Sequence, residues 1–441
     1  MNDMKNRILT YMVAISVLLM SCTSSNVLEE VKDITESHDL MRFTNINDSY
    51  QVTRTDQTIP NLLRQNFMVS CYKNFGTNNQ QNVMPMYEVN YEEYTSVYGQ
   101  VSWNYISSES DHLFYQEQFE KYWDYSAFPY RFFAVSPAPI QNGTLTTGFA
   151  LTDKQLTIPT RFEYQTCTDG QTTQGAEPCM VAQVERNATG HDYDLLAKET
   201  DGTSPKEINI GSHTLNRPVA LPFHHLNCKV RFCIYCPILG EGGEEHEVTN
   251  VRIKVASPNF ITSATYEANP TAPHTLMNGS FTNPQKEGDI LLTINDGAYQ
   301  TGHNLYYDTS AGQEMVKYYF ECPNGLWQIP QQGVKLSLTF TVQGRFDETT
   351  YDTSNDNIEY DGGFTTFKNV PIVLKDTNQD SFDWEKNMYY TYNIILGPFI
   401  PAESTYPVGG DGKEQPIWFT CVLGEWEDID SDVINAGQED W

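Results

Sequence analysis

Residues 227–236 read Asn-Cys-Lys-Val-Arg-Phe-Cys-Ile-Tyr-Cys, and this stretch decides the fold class. Its even positions, Cys228 to Cys236, are Cys, Val, Phe, Ile and Cys, whereas its odd positions from Asn227 carry Asn, Lys, Arg, Cys and Tyr. Successive side chains of a strand point to opposite faces, so a period of two is typical of a strand with one buried face. A helix would scatter the same apolar residues around its axis. The stretch therefore predicts a β-strand.

Similar runs lie on both sides of this stretch, and Pro and Gly separate them about every ten residues, a spacing typical of antiparallel sandwiches. Only residues 113–122 suggest a short helix. We therefore predict an all-β fold of antiparallel sandwiches. The runs are residues 67–72, 131–135, 179–184, 251–255, 334–342, 390–396 and 418–423.

A polar stretch at residues 198–216 contains Asp201-Gly202 and Ser204-Pro205 and divides the chain near its middle. Dipeptides of this kind are typical of turns and linkers. We therefore predict an N-terminal β-sandwich over residues 50–212 and a C-terminal β-sandwich, with its terminal strand and tail, over residues 213–441. Repeats with a fixed period of about 20–50 residues are absent, which argues against solenoids and propellers.

The first 21 residues have the pattern of a secretory signal, with basic residues followed by an apolar run from Ile8 to Met20. The run is too short for a membrane-spanning helix. Residues 19–22, Leu-Met-Ser-Cys, fit the lipobox of bacterial lipoproteins, so Cys22 is predicted to carry the lipid anchor. The alternative is a secreted protein in which Cys22 lies by chance near the cleavage site. Residues 22–49 are polar and acidic and are predicted to form a tether.

The charge balance narrows the range of partners. Lys and Arg total 27 and Asp and Glu total 57, which gives a formal net charge of −30. Nucleic acids and anionic lipid surfaces are polyanions that bind clustered Lys and Arg, so neither is an expected partner. The aromatic content of 13% is well above that of a disordered acidic chain, and we expect the chain to fold.

Sequence motifs for catalysis are absent: the chain contains no GxSxG, Walker, dinucleotide-binding or HExxH pattern. A glycosidase pair of carboxylates stays open, because it has no local signature. Adjacent residues of a strand face opposite ways, so His224 and His225 are predicted to pack or hydrogen-bond rather than share a metal. The acidic segment 428–439 resembles a calcium loop but has Val433 where Gly is required. We predict no enzyme activity, no cofactor and no metal site.

The nine cysteines show no compact disulfide framework. Cys167 and Cys179 flank a stretch rich in Gly, Thr and Gln, and they are the candidate disulfide. Cys233 and Cys236 have CxxC spacing, but residues three apart on a strand face opposite ways and cannot jointly hold a metal. These two cysteines are predicted to be structural.

Several segments, in the same order and spacing, resemble the fimbrillin family of pilus-related lipoproteins of Bacteroidales. Trp103, Tyr122-Trp123 and the run 131–137 resemble its Trp, Tyr-Trp-Pro and Phe-Phe-Ala-Tyr-x-Pro series, although Asp124 replaces the first Pro. Residues 193–197 resemble its Asp-Leu-Leu segment. Residues 219–230 are similar to its Leu-x-Phe-x-His-x-Leu-Ser-Lys-Val signature, with Cys228 in place of a small residue. The resemblance covers most of residues 50–441.

The resemblance implies two transthyretin-like, Greek-key β-sandwich domains and export to the outer membrane as a lipidated precursor. In polymerising relatives an Arg-specific protease removes an N-terminal strand, and a donor strand from the next subunit fills the groove by β-augmentation. Arg54 and Arg42 are the candidate cleavage sites, with Arg54 preferred; ordinary surface arginines are the alternative. The donor strand would come from residues 418–441.

The function that the resemblance implies is a structural or adhesive subunit of a fimbria-like surface assembly, as stalk, anchor or tip. Its partners would be other fimbrial subunits or copies of itself, with a host or glycan ligand as a further partner. The alternative is a non-polymerising, glycan-binding surface lipoprotein, and a secreted hydrolase is a more distant one. A row of solvent-exposed aromatic side chains would favour glycan binding.

Overall fold

A computed structural model gives the fold of the chain. Among the residues it describes, every regular element is a β-strand, and none forms a helix with the length and apolar character needed to cross a membrane. The described residues are 41, 43–44, 66–91, 103–105, 117–168, 171–172, 179–208, 213–215, 217–237, 248–255, 257, 259–271, 275–287, 290–294, 307–308, 313–319, 325–343, 358–362, 364–374, 380–395 and 418–425.

The strands of the first half of the chain are β1 (Phe43–Thr44), β2 (Phe67–Lys73), β3 (Gln81–Tyr91), β4 (Trp103–Asn104), β5 (Tyr130–Ser136), β6 (Ile140–Gln141), β7 (Thr144–Leu145), β8 (Ala150–Leu151), β9 (Leu156–Glu163), β10 (Cys167–Thr168), β11 (Gln171–Thr172), β12 (Met180–Arg186), β13 (Asp192–Lys198), β14 (Pro205–Ile208), β15 (Val219–Ala220) and β16 (His224–His225).

The strands of the second half are β17 (Cys228–Pro237), β18 (Val248–Val255), β19 (Phe260–Ala268), β20 (Ser280–Glu287), β21 (Ile290–Ile294), β22 (Tyr307–Asp308), β23 (Gln313–Tyr319), β24 (Leu326–Gln328), β25 (Gln331–Val334), β26 (Leu336–Gln343), β27 (Ile358–Asp361), β28 (Phe364–Pro371), β29 (Val373–Leu374), β30 (Phe382–Trp384), β31 (Met388–Ile395) and β32 (Trp418–Glu425).

The first large sheet has the order β14-β13-β12-β5-β2-β3-β4-β1-β15, and β16 pairs with β12. Its central strands β2 and β5 are buried over most of their length. One face of the sheet packs on a cluster of apolar side chains that includes Phe43, Phe67, Trp123, Phe132 and Val184. This cluster is the N-terminal core.

Two seven-stranded sheets, which we call the second unit, have the orders β11-β10-β21-β18-β26-β28-β27 and β22-β23-β17-β31-β32-β29. β24 also pairs with β17. Between them lies a second apolar cluster that includes Cys228, Val230, Phe232, Leu338 and Trp384. Trp384 is fully buried, and its indole Nε1 donates to the Tyr392 hydroxyl over 2.9 Å.

The predicted all-β fold is confirmed, and most strand pairs are antiparallel. Parallel pairs occur at β1–β15, β10–β21, β17–β31 and β29–β32. β17 confirms the predicted strand, since Cys228, Val230 and Phe232 all enter the second cluster. On its other face the alternation indicated solvent, but Lys229 is buried, as is Asn227 just before the strand. The Lys229 ammonium lies 5.0 Å from the Trp327 ring centroid and 5.6 Å from that of Tyr389.

Strand pairing crosses the predicted boundary at residue 212 in both directions. The sheet β20-β19-β9-β8 joins strands from before and after it, and β15 and β16 pair with strands of the first sheet. A third apolar cluster likewise combines residues from both sides of the boundary: Phe133, Phe162, Leu226, Tyr266 and Ile329 are among them. Tertiary packing determines which strands pair with one another. The linker-like composition of residues 198–216 carries no information about that pairing. The two sandwich domains and their Greek-key connections stay predictions.

The helix suggested at residues 113–122 is wrong for its described part, because residues 117–122 are not helical. The buried Gln118 amide donates to the carbonyls of Glu88 and Tyr105 over 2.8 and 2.6 Å, and its oxygen accepts from the Glu88 N–H over 2.6 Å. The side chain thus satisfies backbone groups at the end of β3. These bonds hold the segment extended against the sheet.

Candidate functional site

The short strand β1 lies inside the N-terminal core. Its Phe43 pairs with Trp103 of β4 on one side and with Val219 of β15 on the other. Phe43 is 1% exposed and Met41 is fully buried. The Phe43 ring makes edge-to-face contacts with Phe67, Tyr105 and Phe132, with centroids 5.7, 5.9 and 6.1 Å apart. An N-terminal segment therefore fills a slot between two strands of the sheet.

Buried side chains contribute more to the docking of β1 than its backbone hydrogen bonds do. The strand is two residues long, and the N–H of Met41 adds one bond to the Lys121 carbonyl over 2.8 Å. Burying a large apolar side chain contributes about 1.5–3 kcal/mol, so Met41 and Phe43 together supply several kcal/mol. Removal of β1 would expose an apolar slot and the unpaired edges of β4 and β15.

Three of the predicted site residues, Cys22, Arg42 and Arg54, lie outside the described residues. Their order along the chain still matters. Arg42 lies between the buried Met41 and Phe43, whereas Arg54 lies between the end of β1 and the start of β2. A cut after Arg54 would sever the whole of β1 from the polypeptide that continues into β2. A cut after Arg42 would leave Phe43 attached to β2.

The last described strand, β32, pairs within its own chain. All eight of its residues pair antiparallel with β31, and its first two also pair parallel with β29. Of the predicted donor region 418–441, residues 418–425 thus complete a sheet of the second unit. Residues 426–441, including the acidic segment that resembles a calcium loop, lie outside the described residues.

The doublet of β16 is buried, and its two side chains have different partners. His224 Nε2 lies 2.7 Å from Asp194 Oδ2, and the His225 ring packs 5.0 Å from the Trp327 ring. Burial, with Lys229 and His224 nearby, holds the pKa of His225 well below its usual value. The prediction that these histidines pack and hydrogen-bond is confirmed.

A buried ionic cluster joins the end of β12 to the start of β13. Arg186 donates through Nε and Nη2 to the two carboxylate oxygens of Asp192 over 2.7 and 2.8 Å, and neither side chain is exposed. Arg217 Nη2 lies 3.3 Å from Asp192. The Arg186 guanidinium also lies 4.7 Å from the Trp123 ring and donates to the Leu215, Arg217 and Pro218 carbonyls. The cluster ties the segment that leads into β15 to the first sheet.

Among the described residues one group has the composition of a metal site. A nitrogen of His191, a nitrogen of His213 and a carboxylate oxygen of Glu207 all lie within 4.8 Å of one another. Sequence reasoning missed this group, because these residues are spaced by 16 and 6 positions and match no ligand motif. The pairing of β13 with β14 brings His191 next to Glu207, and the following segment adds His213.

Three large aromatic side chains are exposed within one short segment, residues 119–125. Phe119, Tyr122 and Tyr125 are exposed by 58%, 42% and 44%. The Tyr122 hydroxyl donates to the Glu120 carboxylate, which raises the pKa of Tyr122. The segment therefore presents aromatic faces to solvent beside charged groups.

Cys179 is a buried thiol in the structure, as are Cys71 and Cys228. Backbone groups hold Cys179 in place: its N–H donates to Asn227 Oδ1 and its carbonyl accepts from the Leu226 N–H, both over 2.8 Å. Cys167 begins β10, and its side chain lies outside the described ones. The disulfide stays a prediction for the oxidised protein.

Comparisons with known proteins show what this chain is similar to. A crystal structure of a fimbrial protein from Bacteroides vulgatus is similar over 88% of this chain and 99% of that chain, with 10% identity and a TM-score of 0.41. A putative cell adhesion protein from Bacteroides uniformis is similar over 88% of this chain and 98% of that one, with 13% identity and a TM-score of 0.35. No curated protein matches the chain. The profile described as "Fimbrillin-like" matches residues 64–411, which is most of the sequence, and the chain therefore belongs to the fimbrillin-like family.

Proposed function

We propose that this chain is a structural or adhesive subunit of a fimbria-like assembly at the cell surface and joins its neighbours by strand exchange. Membership of the fimbrillin-like family supports a fimbrial or adhesion-type role. The observation that favours strand exchange is the docking of β1. It is an N-terminal strand with two fully or nearly fully buried apolar residues, and it lies between β4 and β15.

In this proposal the chain is exported as a precursor that Cys22 anchors to the outer membrane. A protease then cuts after Arg54, which separates β1 and the lipid from the rest of the subunit. The vacated slot retains Phe67, Tyr105 and Phe132, together with two unpaired strand edges. An extended segment of a neighbouring subunit satisfies both the apolar surface and the backbone groups. Because β32 is already paired with β31, the residues after Glu425 are the preferred donor.

The proposal predicts that cleavage after Arg54 triggers assembly. We expect limited digestion of the full chain with an Arg-specific protease to yield a chain that starts at residue 55. Size-exclusion chromatography and non-boiled gel electrophoresis are expected to show a ladder of oligomers. Arg54→Ala is expected to stay monomeric, whereas the matched Arg42→Ala variant is expected to assemble like the parent chain. A chain that is cleanly cut after Arg54 and remains a monomer would contradict strand exchange.

The exposed aromatic segment favours glycan binding as a second function. Tyr and Phe rings stack on the apolar faces of sugars, and exposed aromatic side chains within one segment are suited to this contact. We expect polysaccharide in a native gel to retard the parent chain. The variant Phe119→Ala/Tyr122→Ala/Tyr125→Ala is expected to lose the retardation, and Tyr122→Phe/Tyr125→Phe, which keeps the ring faces, to retain most of it. Equal mobility of parent and alanine variant across several polysaccharides would exclude this segment as a glycan site.

A further inference from the structure

His191, Glu207 and His213 converge beside the open end of the β13–β14 hairpin. His191 immediately precedes β13, and Glu207 lies in β14 opposite Tyr193. His191 Nδ1 is 2.5 Å from Glu207 Oε1, and His213 Nε2 is 4.0 Å from the same oxygen. The two imidazole rings are stacked, with centroids 3.9 Å apart. Two imidazoles and one carboxylate thus share one point on the surface.

The backbones that carry the two histidines are held in place. Asn187 Oδ1 accepts from the N–H groups of Thr189 and His191 over 2.9 and 3.0 Å, which fixes the turn before β13. Gly190 has a φ of +84°, and a Cβ there would lie 2.4 Å from the His213 carbonyl oxygen, so the main chains of the turn and of His213 are in close contact. Arg217 Nη2 adds a 3.0 Å bond to the Gly190 carbonyl. The ligand-bearing backbones are therefore pre-organised, while the side chains stay accessible.

This donor set suits a borderline divalent ion. Imidazole nitrogen and carboxylate oxygen are the usual N and O ligands of Zn²⁺, at about 2.0–2.2 Å. Ligand atoms around a tetrahedral ion with such bonds are about 3.3 Å apart. The 2.5 Å between His191 Nδ1 and Glu207 Oε1 must therefore lengthen, and the 4.0 Å between His213 Nε2 and the same oxygen must shorten. The two stacked rings are within 15° of parallel, so their in-plane lone pairs cannot both point at one ion until one ring turns. The side chains are 31–38% exposed and have room for this movement.

We propose that His191, Glu207 and His213 bind one Zn²⁺ ion, with water completing the coordination. The three residues come from the turn before β13, from β14 and from the segment that leads into β15. The ion would therefore cross-link the outer hairpin of the first sheet to the segment next to the β1 slot. An ion that binds only the folded chain stabilises it in proportion to its affinity and concentration.

The test is zinc binding by the full chain, stripped of metal with a chelator. Isothermal titration is expected to show one equivalent of Zn²⁺ bound at this site, and the thermal midpoint is expected to rise with zinc but not with Mg²⁺. His213→Gln and Glu207→Gln are each expected to weaken binding by at least about tenfold, as loss of groups around a metal commonly does. Glu163→Gln removes an exposed carboxylate on β9, and we expect this matched control to bind like the parent chain.

Circular dichroism of each metal-free variant separates loss of a ligand from loss of the fold. Folded His213→Gln and Glu207→Gln variants that bind zinc as tightly as the parent would place any bound ion elsewhere and overturn the proposal. Absence of zinc binding by the folded parent chain would overturn it as well. Either result leaves the proposed strand exchange unaffected, because that function is read out by oligomers after cleavage at Arg54.

Discussion

Replacing Asp192 with Asn is expected to lower the free energy of unfolding by about 3–5 kcal/mol, the usual cost of removing one partner from a buried ion pair. Asp192 is fully buried and accepts hydrogen bonds from both Nε and Nη2 of Arg186. Arg217 lies beside the same carboxylate. The substitution leaves two guanidinium groups with no opposing charge in the cluster. Burial already lowers the pKa of Arg217, and the Asp192 charge opposes that effect.

Denaturant unfolding of the parent and the Asp192→Asn variant measures this cost. Glu185→Gln is the matched control. It also replaces a carboxylate with an amide, in the residue of β12 next to Arg186. Its partner Arg131 is partly exposed, with 12% and 24% of the two side chains accessible, so the pair is weakened by solvent. We expect the control to cost less than about 1 kcal/mol. Equal costs for the two variants would show that the buried cluster contributes no more to stability than the partly exposed pair does.

Phe43→Ala is expected to weaken the docking of β1 by about 3–5 kcal/mol, the usual cost of truncating a buried Phe. The substitution removes the ring that contacts Phe67, Tyr105 and Phe132. With about 1.36 kcal/mol per factor of ten, the ratio of docked to undocked β1 falls by roughly a hundredfold or more. Because β1 is only two residues long, its backbone pairing offsets little of the loss.

Hydrogen exchange measures this effect locally. Amides of residues 41–44, 103–105 and 219–221 are expected to lose protection in Phe43→Ala, since these segments pair with one another. Protection in β26 is expected to stay unchanged, because that strand belongs to the second unit. Phe119→Ala is the control, as Phe119 is 58% exposed. Unaltered protection of β15 in Phe43→Ala would show that β1 is not held by its side chain, and would weaken the case for an exchangeable strand.

Local sequence patterns predicted the strands well and predicted their surroundings poorly. The alternation at residues 227–236 identified β17, and Cys228, Val230 and Phe232 lie in the core as expected. The same alternation indicated that Lys229 faces solvent, yet Lys229 is buried beside Trp327 and Tyr389. Those rings come from β24 and β31, far away in sequence. No local pattern reports which side chains cover the second face of a strand.

The candidate site, too, was predicted from the sequence only in part. Sequence placed Arg42 and Arg54 between the tether and the first domain, and family resemblance suggested the role of a leader strand. Sequence did not show that Met41 and Phe43 are buried, or that β1 lies between β4 and β15. No sequence motif indicated the grouping of His191, Glu207 and His213, because a hairpin and a loop bring these residues together.

The sequence by itself determined the all-β class, the position of eight of the longer strands and the family, because side-chain period and turn residues are local properties of the chain. Only the tertiary structure decided that β9 pairs with β19 across the predicted boundary, that Arg186 and Asp192 meet away from water, and that Lys229 is covered. The physical reason is that burial of a polar group depends on partners from distant segments. Residues 227–236 thus specified a strand. Packing partners from distant segments determined which side chains on each face of that strand are buried.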